Sequence, residues 1–218
     1  MKFLFFLLLI VSFQVTYSQK TSLQAKDKLI RINISGLLDP IETNFSGGLE
    51  YRLKDNLAVS LDVGYIFYNY YYQQRNGNSS GFLFRPAIRY YTDEAKRFYI
   101  EAELHFKTVT TKLTDWLGKD CVNDVRTYET FTAFKIRKNV IGLNLKIGYQ
   151  IKLSKDNKLW LEPYFGLGAR LKNEFVLNEP TSCYNFASIF NRRNGNDIAN
   201  TDKMQGSVPL GLRFLIKI

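Results

Sequence analysis

The sequence predicts an all-β fold, an eight-stranded antiparallel up-and-down transmembrane β-barrel. Three observations predict it. Apolar and polar residues alternate with a period of two in eight successive segments. The connections between those segments alternate long and short in strict order. The apolar face of the alternation does not lapse over the ~10 residues that a tilted strand needs to cross a bilayer.

The chain begins differently. Met1 and Lys2 are followed by "FLFFLLLIVSF" and then by small and hydroxyl residues. A positive start, a short apolar stretch and a small-residue site read as a secretory signal peptide over residues 1–18, cleaved to leave a barrel domain over 19–218. The stretch is shorter than the ~20 residues of a spanning helix. Strands are then expected at 28–38, 44–53, 57–72, 81–91, 98–112, 139–153, 159–176 and 205–218. Between them lie "DPIET", "KDN", "QQRNGNSSG", "TDEAKR", residues 113–138, "SKDNK" and residues 177–204. The second, fourth and sixth connections are tight and polar, so all tight turns fall at one end together with both termini. That layout matches short periplasmic turns and long extracellular loops.

Parity sorts each strand into two faces. In "IGLNLKIGYQIKL" the odd positions from Ile141 to Leu153 are apolar or aromatic, while the even positions are Gly142, Asn144, Lys146, Gly148, Gln150 and Lys152. The final "SVPLGLRFLIKI" sets Val208, Leu210, Leu212, Phe214, Ile216 and Ile218 against Arg213 and Lys217. Periodicity alone leaves two readings open, since a secreted ligand-binding barrel would turn the same apolar face inward. Glycines on the polar face suit a crowded interior, and aromatics gather in two belts. Phe45, Tyr65, Phe67, Phe82 and Phe106 lie toward the loops, and Tyr51, Tyr90, Phe98 and Trp160 toward the turns. Both features favour the apolar face outward, against lipid.

With that orientation the interior is charged. Arg31, Arg52, Arg85, Arg89, Lys146, Arg170 and Arg213 share it with Glu50, Asp62, Glu101, Glu103, Glu162 and the lone histidine, His105. Unpaired buried charge costs several kcal/mol, so these residues are expected to form a structural salt-bridge network across strands. Eight strands leave an interior only wide enough for side chains, which argues against a conducting pore.

The eight-strand meander, "EPYFGLGAR" in the seventh strand and the closing "SVPLGLRFLIKI" resemble the small outer-membrane β-barrel proteins of the OmpA/OmpX type, in the form common in Bacteroidota. The resemblance covers nearly all of the chain after the signal. It implies a location in the outer membrane, contact with outer-membrane lipid and lipopolysaccharide, and handling by the barrel-assembly machinery. Ile218 departs from the aromatic end usual in that family, which leaves either Phe214 as a candidate substitute signal or an assembly machinery that accepts an aliphatic end.

The chemistry-bearing residues point away from an enzyme. His105 has Glu103 as a possible orienter, which is the arrangement of a catalytic base, but parity turns it inward with Lys107 on its face. No catalytic residue, metal ligand set or cofactor is expected, because one histidine and two distant cysteines give no ligand spacing. The net charge of +10, falling to +9 when residues 1–18 take Lys2 away, is scattered singly along strands, so nucleic acid is not an expected partner. Cys121 and Cys183 sit in the two largest loops, where an oxidising compartment favours a disulfide over two free thiols. The same loops carry Trp116, Tyr128, Phe131, Phe134, Tyr184, Phe186 and Phe190. The resulting expectation is a non-enzymatic surface or scaffold protein whose loops meet a protein or glycan partner. An accessory subunit of a larger outer-membrane complex is the alternative, and a lipid A-modifying enzyme a weaker one.

Overall fold

A computed structural model describes residues 25–39, 41–70, 77–93, 97–122, 126–177, 179, 181–184 and 200–218; the signal segment 1–18 lies outside them. The strands are β1 (Lys28–Asn33), β2 (Asn44–Lys54), β3 (Leu57–Ile66), β4 (Asn78–Tyr91), β5 (Phe98–Lys119), β6 (Tyr128–Tyr149), β7 (Ile151–Lys152), β8 (Leu159–Val176), β9 (Asn200–Ser207) and β10 (Leu210–Lys217). The short β7 continues β6, and β9 and β10 are halves of one strand. Ser207 lies opposite Gly168 and Leu210 opposite Phe165, so one register runs through the break. The interruption is the ladder hydrogen bond that Pro209, without an N–H, cannot donate.

All pairings are antiparallel between neighbours in the chain, and the last strand returns to the first. Leu29 lies opposite Lys217 and Asn33 opposite Arg213, while the other side of β10 pairs with β8. The result is a closed, barrel-like ring of eight hydrogen-bonded strands. Closure is why the alternation of "SVPLGLRFLIKI" runs to its end: the strand has a partner on both sides.

Several boundaries differ from the expected ones. β1 stops at Asn33 rather than 38, where the chain turns and Leu37 N donates to Ile34 O. β3 stops at Ile66 rather than 72; residues 71–76 lie outside the described ones. The largest correction concerns residues 113–138. Residues 113–119 and 128–138 are not a loop but the outer halves of β5 and β6, paired from Leu113 opposite Phe134 to Lys119 opposite Tyr128.

The reason is an exchange of character between the two faces. From Phe98 to Lys107 the outward positions of β5 are Phe98, Ile100, Ala102, Leu104 and Phe106, and the inward ones are Tyr99, Glu101, Glu103, His105 and Lys107. From Thr108 onward the outward positions become Thr108, Thr110, Lys112 and Thr114, while Val109, Leu113 and Leu117 are buried inside. The exchange occurs at one level around this side of the ring. Thr108 is opposite Asn139, whose other neighbour is Asn173, and Thr108 Oγ1 donates to Asn139 Oδ1 at 2.9 Å. Above this level Leu113, Leu117, Phe134, Ile136, Val176 and Tyr184 form one apolar cluster on the inner side of the arm.

Smaller apolar clusters close the turn end. Trp160, expected in an outward aromatic belt, is instead buried against Leu29 and Leu215, its Nε1 donating to Asn157 O at 3.1 Å. Asn157 has φ 60°, a left-handed conformation that asparagine tolerates and that reverses the chain between β7 and β8.

Cys121 and Cys183 are bonded. As expected, the bond ties the connection after β5 to the connection after β8, and it fastens residues 181–184 to the tip of the arm, where Gly118 and Cys183 exchange two backbone hydrogen bonds of 3.1 Å. Cross-linking positions 62 residues apart removes about 4 kcal/mol of unfolded-chain entropy. Reduction is therefore expected to open the arm to protease near residues 119–130 while fragments of the ring stay intact. Limited proteolysis with and without reductant, read by mass spectrometry, checks this.

Candidate functional site

The interior site is assembled by cross-strand pairing. The register sets Arg89 opposite Glu101, Glu101 opposite Lys146, and Glu162 opposite Arg213. Opposite charges facing each other across a ladder attract, and here they lie in a space that solvent does not enter. Ten charged side chains meet in this cluster: Arg31, Arg52, Arg89, Lys146 and Arg213 with Glu50, Asp62, Glu101, Glu103 and Glu162, each 1% exposed or less. Five charges of each sign leave it neutral.

Glu101 is the hub. It meets Arg31 at 3.5 Å, Arg213 at 3.3 Å, Lys146 at 3.6 Å and, more closely, Arg89. Arg89 also donates from Nη1 to Glu50 at 2.8 Å and to Glu162 at 2.6 Å. Arg31 pairs with Asp62 at 3.2 Å, Lys146 with Glu103, and Arg213 with Glu162 at 3.1 Å. Neutral side chains complete the set. Tyr91 donates to Glu50 at 2.7 Å, Gln150 to Glu162 at 3.1 Å, and Arg52 to Gln150 at 3.1 Å.

Aromatic rings separate the guanidinium groups into layers. Arg52 lies over Tyr91 at 3.9 Å, Arg89 over Tyr99 at 3.8 Å, and Arg213 over Tyr164 at 4.1 Å. These are cation–π distances, strengthened by the burial of the three guanidiniums. The rings need room, and Gly148 supplies it: a Cβ there would fall on the Tyr99 hydroxyl. The filled cross-section makes this part of the interior a plug.

Three residues expected in the network are not in it. Arg85, His105 and Arg170 face inward but lie on the loop side of the plug, beyond the carboxylate layer, and form no ion pair among the described residues. Arg85 donates to Ser46 Oγ at 2.9 Å instead. They line a cavity of about 600 Å³ above the plug, floored by Lys146 and Tyr164. Tyr91, Tyr99, Tyr164 and Gln150 share the inward parity and complete the network.

A second ionic site sits at the loop end. Asp39 Oδ1 accepts from the backbone N–H groups of Ile41 and Glu42 at 2.9 and 3.2 Å, and this small turn points Glu42 at Lys107 and Lys138. Burial pushes the Glu42 carboxyl up, and the two lysines outweigh it, holding it well below its usual 4.5. At the arm, Lys119 and Ser182 donate to Glu179 and lower its pKa. Phe134 and Tyr184 are buried edge to face at 5.0 Å, whereas Trp116 and Phe131 pack together at 5.5 Å on the exposed side. Phe186 and Phe190 lie outside the described residues. Among the described residues no group of three or more His, Cys, Asp or Glu side chains could hold a metal ion.

Arg89→Met leaves three carboxylates short of a cation and is expected to cost about 3–5 kcal/mol, while Arg85→Met, outside the network, stays within about 1 kcal/mol. Urea unfolding in detergent distinguishes them. The lowered carboxyl of Glu42 means its clasp is fully present above pH 4.5 and is lost as pH falls through the lower folded value. Glu42→Gln should therefore lower the unfolding free energy at pH 7 by about 2 kcal/mol, and the two curves should converge in acid.

No curated protein matches the chain. One family model does, described as a protein of unknown function (DUF3575), over residues 3–194. With most of its length matched and an all-β ring behind the match, the chain belongs to the DUF3575 family.

Proposed function

We propose that the protein is an exported outer-membrane barrel, with residues 1–18 as its signal peptide, and that it acts as a non-enzymatic surface or scaffold protein. The observation that carries this reading is the sorting of polarity. Ten charges are sealed inside at the same height at which the outside is continuously apolar. Leu167 is 61% exposed, Leu49 60%, Leu145 59% and Ile88 50%. In water such a belt would far exceed the few hundred Å² of apolar patch a soluble monomer exposes. The stretch from Leu159 to Leu171 is roughly 40 Å of strand, and a tilt of about 40° gives it roughly 30 Å of height, the thickness of a bilayer core.

The exchange of faces at Thr108, Asn139 and Asn173 supports a lipid–water boundary there. Just above it the outward positions Thr108, Thr110, Lys112 and Thr114 are polar, and Val109, Leu113 and Leu117 turn in to hold the arm together without lipid. A soluble ligand-binding barrel has the opposite distribution at the level of the plug, where its apolar face would have to be inside. The exported arm, clipped by Cys121–Cys183 and bearing Trp116, Phe131 and Tyr128 on its exposed side, is the surface we assign to a protein or glycan partner. His105 turns into the cavity, and its inward neighbour Lys107 is engaged by Glu42, which favours a binding role over catalysis for this interior.

Fractionation tests the reading. The protein is expected in the detergent-extracted membrane fraction and, left unboiled, to migrate on a denaturing gel apart from its boiled form. Recovery from the soluble periplasm without detergent overturns it.

A further inference from the structure

The ring is not equally tall at its seam. β1 ends at Asn33 and the chain turns aside, whereas the opposing strand continues through Leu212, Leu210 and Val208. Among the described residues the only backbone bridge above the β1–β10 ladder is Ile34 N donating to Leu212 O at 3.2 Å. The cavity above the plug reaches this gap. Its lining includes inward-facing Arg85, His105 and Arg170 and also Leu38, Leu210 and Leu212, which belong to the outer surface and are 75%, 68% and 42% exposed. A cavity walled by residues from both faces of one sheet opens through that sheet.

Its two ends differ in chemistry. Inside, Arg85 Nε, Arg170 Nε and His105 Nε2 are buried without a hydrogen-bond partner among the described residues. Glu103, which also lines the space, is already paired with Lys146. Asp39 at the mouth is occupied by the N–H groups of Ile41 and Glu42. Two arginines with spare donors, facing a pocket whose carboxylates are engaged, form a receptor for an oxyanion; the planar guanidinium matches phosphate with paired hydrogen bonds. At the seam the wall is leucine.

We propose that the cavity binds the phosphate head of an amphiphile whose apolar tail leaves through the seam between β1 and β10. About 600 Å³ accommodates a head group and the first part of one chain, not a whole two-chain lipid. The route of the tail rests on the bilayer reading of the outer surface given above; the oxyanion site does not.

The test titrates the folded, disulfide-bonded protein in neutral maltoside micelles with three probes: oleoyl lysophosphatidic acid, inorganic phosphate and monooleoylglycerol. Calorimetry is expected to show the lysophosphatidic acid bound at least tenfold more tightly than either of the others. Arg85→Gln with Arg170→Gln should weaken it at least tenfold, and Arg85→Lys with Arg170→Lys should recover part of that loss. Circular dichroism of each variant separates loss of binding from loss of fold. Unchanged affinity in the double glutamine variant, or monooleoylglycerol binding as tightly, overturns the oxyanion site. Inorganic phosphate binding as tightly overturns the route of the tail. Neither result bears on the fractionation experiment, so a failure here and a failure of the membrane reading are told apart.

Discussion

The structure depends on the neutrality of one small volume. Closing eight strands into a ring creates an interior that side chains must fill completely, and this chain fills it with charge. Carboxylates and guanidiniums cost many kcal/mol to remove from water, and their attraction offsets that cost only when every member has partners. Glu101 shows the requirement most clearly, because it faces four cations drawn from four different strands. No pair of strands is sufficient alone. Its ten charges come from β1, β2, β3, β4, β5, β6, β8 and β10, so satisfying the network fixes the register of the whole ring.

That constraint propagates outward. A strand has two faces, and once charged and hydroxyl-bearing residues take the inner one, the outer parity is left to leucine, isoleucine, valine and phenylalanine. Where the plug ends, so does the constraint. Beyond Lys107 and Lys138 the inner positions Leu113, Leu117, Phe134 and Ile136 are apolar and pack on one another, while Thr108, Thr110, Lys112 and Asn139 take the outer positions at the boundary. The arm above the ring is thus an ordinary two-faced sheet, whereas the ring below it is one turned inside out.

This exchange explains what could be read from the residues and what could not. Eight strands, their antiparallel order, the pairing of last with first and the inward charges all follow from a period of two, because that signal is local. Residues 113–119 and 128–138 carry no continuous one-sided pattern, because the apolar side of β5 and β6 switches parity there. The size and aromaticity of Trp160 suit an interface, but its even position turns it inward with Glu162 and Tyr164. Partners within the plug were beyond reach of local pattern. Arg213 meets Glu162 on the adjacent strand, but it also meets Glu101 from the far side of the ring, a contact set by tilt and closure rather than by spacing. The separation of Arg85, His105 and Arg170 from the plug depends on height along the axis, which parity does not encode.

The unequal ladders have a consequence for how the ring is made and unmade. β5 and β6 pair along their full length, from Phe98 opposite Tyr149 to Lys119 opposite Tyr128, and are neighbours in the chain. β1 and β10 pair only from Leu29 to Asn33, across almost the whole described sequence. A hairpin zips early because little chain entropy opposes it, while a contact between distant segments waits until everything between is arranged. The seam should therefore be the last stitch to form. With the shortest ladder to hold it, it is also where the finished ring would first breathe, giving a closed structure a built-in side door.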